Sequence, residues 1–259
     1  MTSSNYAVLI NGSGLLCKSY NLQRQSSVEF IPSFGQKQLL GTTGPSYGLN
    51  LSYLFNTLGD QFITHIANRP TGNIACQAVV AGQSGLFYLS NYSFQTNAAS
   101  ALEVNASLVN FNKISGEISE KLTQVYSHTG LNEVLSNSTS IKLNLGAYNF
   151  ECNSLSYSYS ANVAPKYKIG DGFPYSVEFL GSEEQINLTL WSGFIPSFYG
   201  SLANNLFNGN AVITIANDNK SVITKEHTIP LSGFAIQSYD NSLSVNDLVR
   251  YSVSLVNKR

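Results

Sequence analysis

The chain has 259 residues, of which 43% are hydrophobic and 11% charged, and its formal net charge at pH 7 is −1. That hydrophobic content excludes a disordered chain, and the length favours two domains of roughly 110 to 130 residues, each with its own core. No cluster of Lys and Arg is present, which argues against sequence-independent binding of nucleic acid. The polarity comes from Ser, Asn, Thr, Gln and Gly, which favour strands and turns over helices.

The first half predicts strands around one short helix. Apolar residues alternate in the strands, and Phe62, Ile63 and Ile66 share one face of the helix. A Gln/Ser/Gly-rich stretch is predicted as a long loop. The predicted elements are strands at 6–22, 49–53, 74–81, 85–95 and 102–111, the loop at 23–45, the helix at 60–68, and turns at 12–14 and 82–85.

The second half repeats this plan after a connector at 113–140. Ile114, Ile118, Leu122 and Val125 lie at helical spacing, so part of the connector is predicted as an amphipathic helix. The predicted elements are strands at 141–145, 150–159, 176–179, 186–191, 211–216, 222–237 and 248–256, a loop at 163–175, a helix at 201–207 and a turn at 218–220. The organisation is therefore a first β domain at 1–112 and a second at 141–259, each a ββαβββ sandwich or barrel.

Short matches between the halves indicate an internal duplication. Each later partner sits roughly 135 to 147 positions beyond the earlier one. The matched segments are 49–53 with 186–190, 72–74 with 209–211, 89–95 with 231–237, 107–110 with 254–257, and Cys17 with Cys152.

A search for reactive chemistry finds no catalytic, cofactor-binding or metal site, so we expect that the protein is not an enzyme. His65, His128 and His227 have no metal-ligand spacing. Asp171 and the adjacent Glu183-Glu184 are interpreted as turn residues. The three cysteines form no Cys-x-x-Cys pair; they are expected to be free thiols, and Cys17 and Cys152 to be buried.

No charged segment followed by an apolar run opens the sequence, and no stretch of about 20 apolar residues occurs. These features predict a soluble protein that is made inside the cell and has no membrane partner.

The segment 247–255, following Leu231 to Gln237, resembles the closing strands of phage tail tube proteins. The long polar loop, the single short helix and the three final strands of each half also look like that family. The resemblance implies a β-sandwich whose hairpins join between subunits into a ring-shaped barrel. It implies stacked rings that conduct DNA without sequence-specific contact, with the long loops contacting the next ring.

Because such rings commonly present six copies of the domain, a duplicated chain implies a trimer with pseudo-sixfold symmetry, as in tail hub proteins or duplicated tail tubes. The implied partners are further copies of the chain and other tail proteins, in a virion assembled in the host cytoplasm. No acidic row that could face the channel is recognisable in the sequence.

Two other classes of function stay open. A glycan- or receptor-binding β protein, such as a lectin-like or adhesin module, needs an exposed aromatic cluster, for which Tyr157, Tyr159 and Trp191 are the candidates. Alternating aromatics are more often one face of a strand. An enzyme is disfavoured because no catalytic constellation is present.

Assembly is also predicted from strand edges. The segments 85–95 and 222–237 are long, and 85–95 carries no charge. Long unpaired edges invite pairing with another chain, so we expect these two segments to pair between subunits. The loops 23–45 and 163–175 would then order on contact with another ring.

Overall fold

The fold is mainly β, as predicted, and most of its strands belong to one antiparallel sheet. The computed structural model describes residues 6–26, 28–33, 36–42, 44–54, 60–68, 71–97, 102–116, 138–145, 148–169, 171–190, 210–216, 225–231, 233–242 and 250–259.

The elements alternate between hairpins and longer connections. In the first half they are β1 (Tyr6–Ile10), β2 (Ser13–Gln25), β3 (Val28–Ser33), β4 (Gln36–Thr42), β5 (Ser46–Leu54), α1 (Gln61–Ala67), β6 (Ala75–Val80), β7 (Gln83–Asn97) and β8 (Glu103–Asn110). In the second half they are β9 (Ser138–Leu145), β10 (Tyr148–Lys166), β11 (Ser176–Leu190), β12 (Asn210–Ala216), β13 (Lys225–Pro230), β14 (Ala235–Ser242) and β15 (Arg250–Lys258).

Six strands of the first half close on themselves as a small barrel. β1 pairs with β2, β2 with β5, β5 with β8, β8 with β7, β7 with β6, and β6 with β1. Each of the six therefore has a neighbour on both sides over part of its length, which closes the barrel. Because side chains alternate along each strand, one face is fully buried, as at Val8, Leu49, Leu89 and Leu108.

Two tight turns build this barrel. The β1–β2 turn has positive φ at Asn11 (51°) and Gly12 (79°), and the β6–β7 turn has positive φ at Ala81 (49°) and Gly82 (82°). Two consecutive left-handed residues fit the right-handed twist of a two-residue hairpin. Both turns were predicted, but each lies just before the predicted position, since β2 begins at Ser13 and β7 at Gln83.

Helix α1 confirms the helix predicted at 60–68 and packs against the barrel core. Its predicted face is buried, at Phe62, Ile63 and Ile66. Asp60 caps its start: one carboxylate oxygen accepts from the N–H groups of Phe62 (2.7 Å) and Ile63 (3.2 Å). The other carboxylate oxygen accepts from the Tyr53 hydroxyl. The cap thus ties the helix to β5, in the barrel wall.

The second half has the same order of neighbours. β9 pairs with β10, β10 with β11, β11 with β15, and β15 with β14. On the other side β9 pairs with β12, and β12 with β13. β13 and β14 follow one another along the chain, so together they take the place that the single bent strand β7 takes in the first half.

Strands β7 and β10 join the two halves into one sheet. They pair antiparallel from Asn91 opposite Ser160 to Asn97 opposite Ser154. Tyr92, Phe94 and Tyr157 cover this junction on the buried side, with Phe94 and Tyr157 stacked at 5.4 Å between ring centroids. Tyr92 meets Tyr157 edge-on at 6.2 Å. Such aromatic contacts stabilise a junction by about 0.5–1.5 kcal/mol each beyond the area that they bury.

Three of the matched segments occupy corresponding register positions. Cys17 lies opposite Tyr53 and Cys152 opposite Leu190, and a bulge follows each cysteine. Leu49 lies opposite Leu108, and Ile186 lies opposite Leu255. The segments 49–53, 107–110 and Cys17 therefore correspond to 186–190, 254–257 and Cys152 in strand and in register.

The other two sequence matches are wrong in register. Leu89 lies opposite Leu108 and Ile236 opposite Leu255, so 89–95 corresponds to 236–242 and not to 231–237. The match of 72–74 with 209–211 also fails. In the first half, Val80 lies opposite Val8. The counterpart of Val8 in the second half is Leu143, which lies opposite Ala211. Ala211 therefore corresponds to Val80 and not to Ile74. Short matches in a Ser- and Asn-rich chain did not resolve shifts of five or six residues.

The predicted loops and edges need further correction. Part of the loop predicted at 23–45 forms the hairpin of β3 and β4, a separate two-stranded sheet. The strands predicted at 176–179 and 186–191 are one strand, β11. The segment 85–95 is not a free edge, because β7 pairs with β6, β8 and β10 within the chain. Of the connector, 117–137 lies outside the described residues, whereas Ile114 is described outside any helix and Ser115 forms a β-bridge with Ser84. The helix at 201–207 and the turn at 218–220 also lie outside the described residues.

We predict that Asp60→Ala lowers the free energy of unfolding by about 2–3 kcal/mol, because the helix loses its cap and the buried Tyr53 hydroxyl loses its acceptor. Asp60→Asn keeps an oxygen acceptor for both N–H groups and is expected to lose less. Urea unfolding at pH 7 measures both variants. Equal losses would contradict the capping role.

Asp60 also predicts a pH dependence of stability. Burial raises the pKa of its carboxyl above the ordinary value of 3.8, so the folded protein binds this proton more readily than the unfolded chain. The resulting contribution to stability is complete below the unfolded pKa and is lost as the pH rises through the folded pKa. In Asp60→Asn this part of the pH dependence of the unfolding free energy should disappear.

Candidate functional site: a polar sheet face

The junction creates a continuous antiparallel run of eight strands in the order β2, β5, β8, β7, β10, β11, β15, β14. The buried face of these strands is apolar. The opposite face, which we call the polar face, carries mainly Ser, Asn, Gln and Thr. Its residues include Asn21, Gln23, Asn50, Ser52, Asn105, Ser107, Asn91, Ser93, Gln95, Ser154, Ser156, Ser158, Gln185, Asn187, Thr189, Ser252, Ser254, Ser238 and Asp240.

Hydrogen bonds between neighbouring strands organise the polar face. The Asn187 amide donates to the Ser156 hydroxyl at 3.2 Å, from β11 to β10. The Ser90 hydroxyl donates to the carbonyl of Ser107 at 2.9 Å, from β7 to β8. These two bonds link short side chains to neighbouring strands.

Opposite charges on the polar face lie side by side. Lys18 is 2.7 Å from Glu103, whose other oxygen accepts from Ser52 at 2.9 Å. These hydrogen bonds from Lys18 and Ser52 lower the pKa of the half-exposed Glu103. Lys258 lies 3.1 Å from Glu183 in the second half. Because each pair is solvent-exposed, it contributes little to stability, but it leaves no strong field of either sign.

Two depressions lie on the polar face, both next to the junction. One is open, has a volume of about 600 Å³ and is lined by Ser93, Gln95, Glu103, Asn105, Ser156 and Ser158. The other has a volume of about 210 Å³, between β10, β11 and β14. The larger depression is lined mainly by polar groups, with Phe94 and Tyr157 also in its wall, so it lacks the mostly apolar walls that are typical of a small-molecule site. The smaller one has Leu155, Leu188 and Val253 beside its hydroxyl and amide groups.

The aromatic residues proposed for glycan binding are not exposed. Tyr157 and Tyr159 are 2% and 4% exposed, on the buried face of β10. The Tyr157 hydroxyl donates to Glu184 at 2.9 Å, and Arg259 binds the other oxygen of Glu184 at 2.8 Å. Burial raises the pKa of Tyr157 well above its ordinary value. These tyrosines are core residues, so the prediction that they form an exposed aromatic cluster is wrong. Trp191 lies outside the described residues.

The other residues weighed for chemistry are dispersed. His65 is exposed on α1, and Asp171 is exposed in the β10–β11 connection, where its N–H donates to the carbonyl of Lys168 at 3.1 Å. Glu183 lies on the polar face, whereas its neighbour Glu184 points to the core. No group of three His, Cys, Asp or Glu side chains that could hold a metal ion occurs among the described residues.

An exposed apolar cluster lies where β10 and β11 connect. Five large side chains in or near this connection are at least 40% exposed, and we call them the apolar hairpin tip: Tyr167, Ile169, Phe173 and Tyr175 in the connection, and Leu180 further along β11. The Lys168 ammonium stands 5.4 Å from the centroid of the Tyr175 ring. Exposed apolar clusters of this kind mark contact surfaces in many proteins. The sequence predicts a loop at 163–175 for this region, but 163–166 belong to β10.

Comparison with protein-family models gives no match, and the search of curated proteins finds no significant similarity. Among the residues that the structure describes, the helical part is too short and too polar to cross a bilayer.

We predict that the three thiols resist modification in the folded protein. Cys17, Cys76 and Cys152 are buried and form no disulfide, and burial raises the pKa of Cys17 and Cys76 to about 12. The thiolate is the reactive form, so a thiol reagent at pH 8 should label almost none in native protein and all three in denaturant. Rapid labelling of native protein, or fewer than three thiols after unfolding, would contradict this expectation.

Proposed function

We propose that the protein is a structural subunit of a phage tail, in the tube or an adjacent hub, and that its copies join into a ring around the DNA channel. The observation that carries this proposal is the β7–β10 junction. Two halves with the same order of strand neighbours are joined through one sheet. A junction that repeats from unit to unit builds a ring when its rotation closes.

The polar face supports the second part of the proposal. A surface that lets DNA pass must not hold the phosphates, and clusters of Lys and Arg would hold them through counterion release. On the polar face Lys18 and Lys258 are each paired with a carboxylate. We therefore propose that this face lines the channel, through neutral hydroxyl and amide groups in place of an acidic row.

The similarity of the halves supports a duplicated domain. Bulges follow Cys17 and Cys152 at the same register position, and Leu89 and Ile236 precede a second pair of matching bulges. Bulges are specific local features, so two shared bulges in matching strands favour a common origin. Two units per chain and six units per ring would give a trimer with pseudo-sixfold symmetry in the virion, assembled in the host cytoplasm. The partners are further copies, other tail proteins and DNA.

No observation in the described residues favours the alternative of a glycan-binding module, because Tyr157 and Tyr159 are buried. The proposal does not involve catalysis or a cofactor.

The assembly is tested by native mass spectrometry and electron microscopy of the purified protein and of particles that contain it. We expect a ring of three chains that shows six similar lobes around an open centre. A protein that stays monomeric at high concentration and inside its particle would refute the proposed function.

The apolar hairpin tip generates a second test. We expect the double variant Ile169→Ser/Leu180→Ser to form rings but to lose stacking of rings or docking of the next tail protein, because exposed apolar contacts are removed. Leu86→Ser is a matched control, since Leu86 is 40% exposed on another hairpin. Microscopy should show single rings for the double variant and stacked rings or docked complexes for the control. If the double variant stacks as well as the Leu86→Ser control, the contact between rings does not involve the apolar hairpin tip.

A further inference from the structure

We propose that the outer end of the β10–β11 hairpin is a hinged arm, which opens away from the first half while the rest of the fold stays intact. The arm comprises the described residues 163–169 and 171–179 and carries most of the apolar hairpin tip. Gly44 and Asn73 of the first half contact the arm and form its latch. The inference goes beyond the proposed tail function and does not depend on ring formation.

The arm is a two-stranded ribbon without a core of its own. β10 pairs with β7 only as far as Ser160, and β11 meets β15 and Arg259 only from Ser182 onward. Beyond these points each strand of the arm has the other as its only described strand neighbour. No described side chain of the arm is fully buried. Because isolated two-stranded hairpins are only marginally stable in water, the arm depends on its contacts with the rest of the chain.

A bulge forms the hinge at the base of the arm. Leu180 is an extra residue on β11, between the partners of Asn162 and Val163. Gly181 has a positive φ of 134°, and a Cβ there would lie 2.5 Å from the Arg259 carbonyl oxygen. Bulges bend a strand, and glycine adopts such a backbone conformation without steric cost. The regular ladder is therefore interrupted where the arm leaves the rest of the fold.

The base of the hairpin, on the other side of the hinge, is fixed to the core. Ser182 and Arg259 exchange two backbone hydrogen bonds of 2.9 Å. The Arg259 guanidinium donates to the buried Glu184 at 2.8 Å, and the other carboxylate oxygen of Glu184 accepts from the Tyr157 hydroxyl at 2.9 Å. Opening of the arm at the bulge leaves all of these contacts in place.

The latch is close in geometry but weak in energy. The Asn73 amide donates to the Val177 carbonyl at 2.9 Å, but the Asn73 side-chain oxygen is buried and has no hydrogen-bond partner among the described residues. An unpaired buried acceptor costs as much as, or more than, one ordinary hydrogen bond contributes. The Gly172 carbonyl lies against Gly44, where a Cβ would have no room. The latch thus positions the arm without stabilising it strongly, so a protein that binds the apolar hairpin tip in the open form shifts the arm outward.

Hydrogen exchange followed by mass spectrometry tests the arm in the wild-type protein. The paired amides of 163–166 and 175–179 should exchange several-fold faster than those of 154–160 and 183–189, because the arm opens without the sheet. Equally slow exchange in both sets would overturn the proposal, since the arm would then open only together with the sheet.

Gly44→Ala tests the latch, and Gly48→Ala is its matched control. The added methyl group at 44 meets the Gly172 carbonyl, whereas at 48 nothing except chain neighbours lies within 4 Å of it. Gly44→Ala should raise exchange several-fold in 175–179 and leave 183–189 as in the wild type, and Gly48→Ala should change neither. Unchanged exchange in Gly44→Ala, or an equal rise in 183–189, would overturn the proposal and leave the proposed function standing.

Discussion

The pairing of β7 with β10 is the interaction on which the rest of the structure depends. Between Asn91 and Gln95, β7 has β8 on one edge and β10 on the other. β7 therefore completes the first barrel and also joins its sheet to the strands of the second half. Tyr92, Phe94 and Tyr157 seal its inner side, while serine and amide side chains occupy its outer side. The buried core and the polar face both follow from this one strand.

The polar face and the apolar hairpin tip divide the surface by chemistry. The eight-strand run presents short neutral side chains, with Lys18 paired to Glu103 and Lys258 paired to Glu183. The hairpin tip instead exposes Ile169 and Leu180 to solvent. A surface that should not retain a polyanion and a surface that should bind another protein require opposite properties, and the two occur on separate parts of the chain.

Local patterns predicted the elements better than their partners. Alternation predicted β5 and two parts of β11, and the shared face of Phe62, Ile63 and Ile66 predicted α1, because both signals depend on near neighbours. The pairing of β7 with β10 was missed, since alternation shows that a face is buried but not which strand lies beside it. β14 lies five residues beyond its sequence match, because a short match in a Ser- and Asn-rich chain does not fix the register. The abundance of Ser and Asn is evident in the sequence. That these residues share one face could not be predicted, because it depends on which strands lie side by side.

The bend in β7 has a consequence for how the protein unfolds. The first part of β7 forms a hairpin with β6. After a bulge between Leu89 and Asn91, the second part of β7 lies between β8 and β10. Because β7 pairs with strands of both halves and their buried residues form one core, we expect the halves to unfold as one cooperative unit. Amide protons in the centre of β7 would exchange with solvent only when that unit opens, more slowly than those of β14, which has one described neighbour.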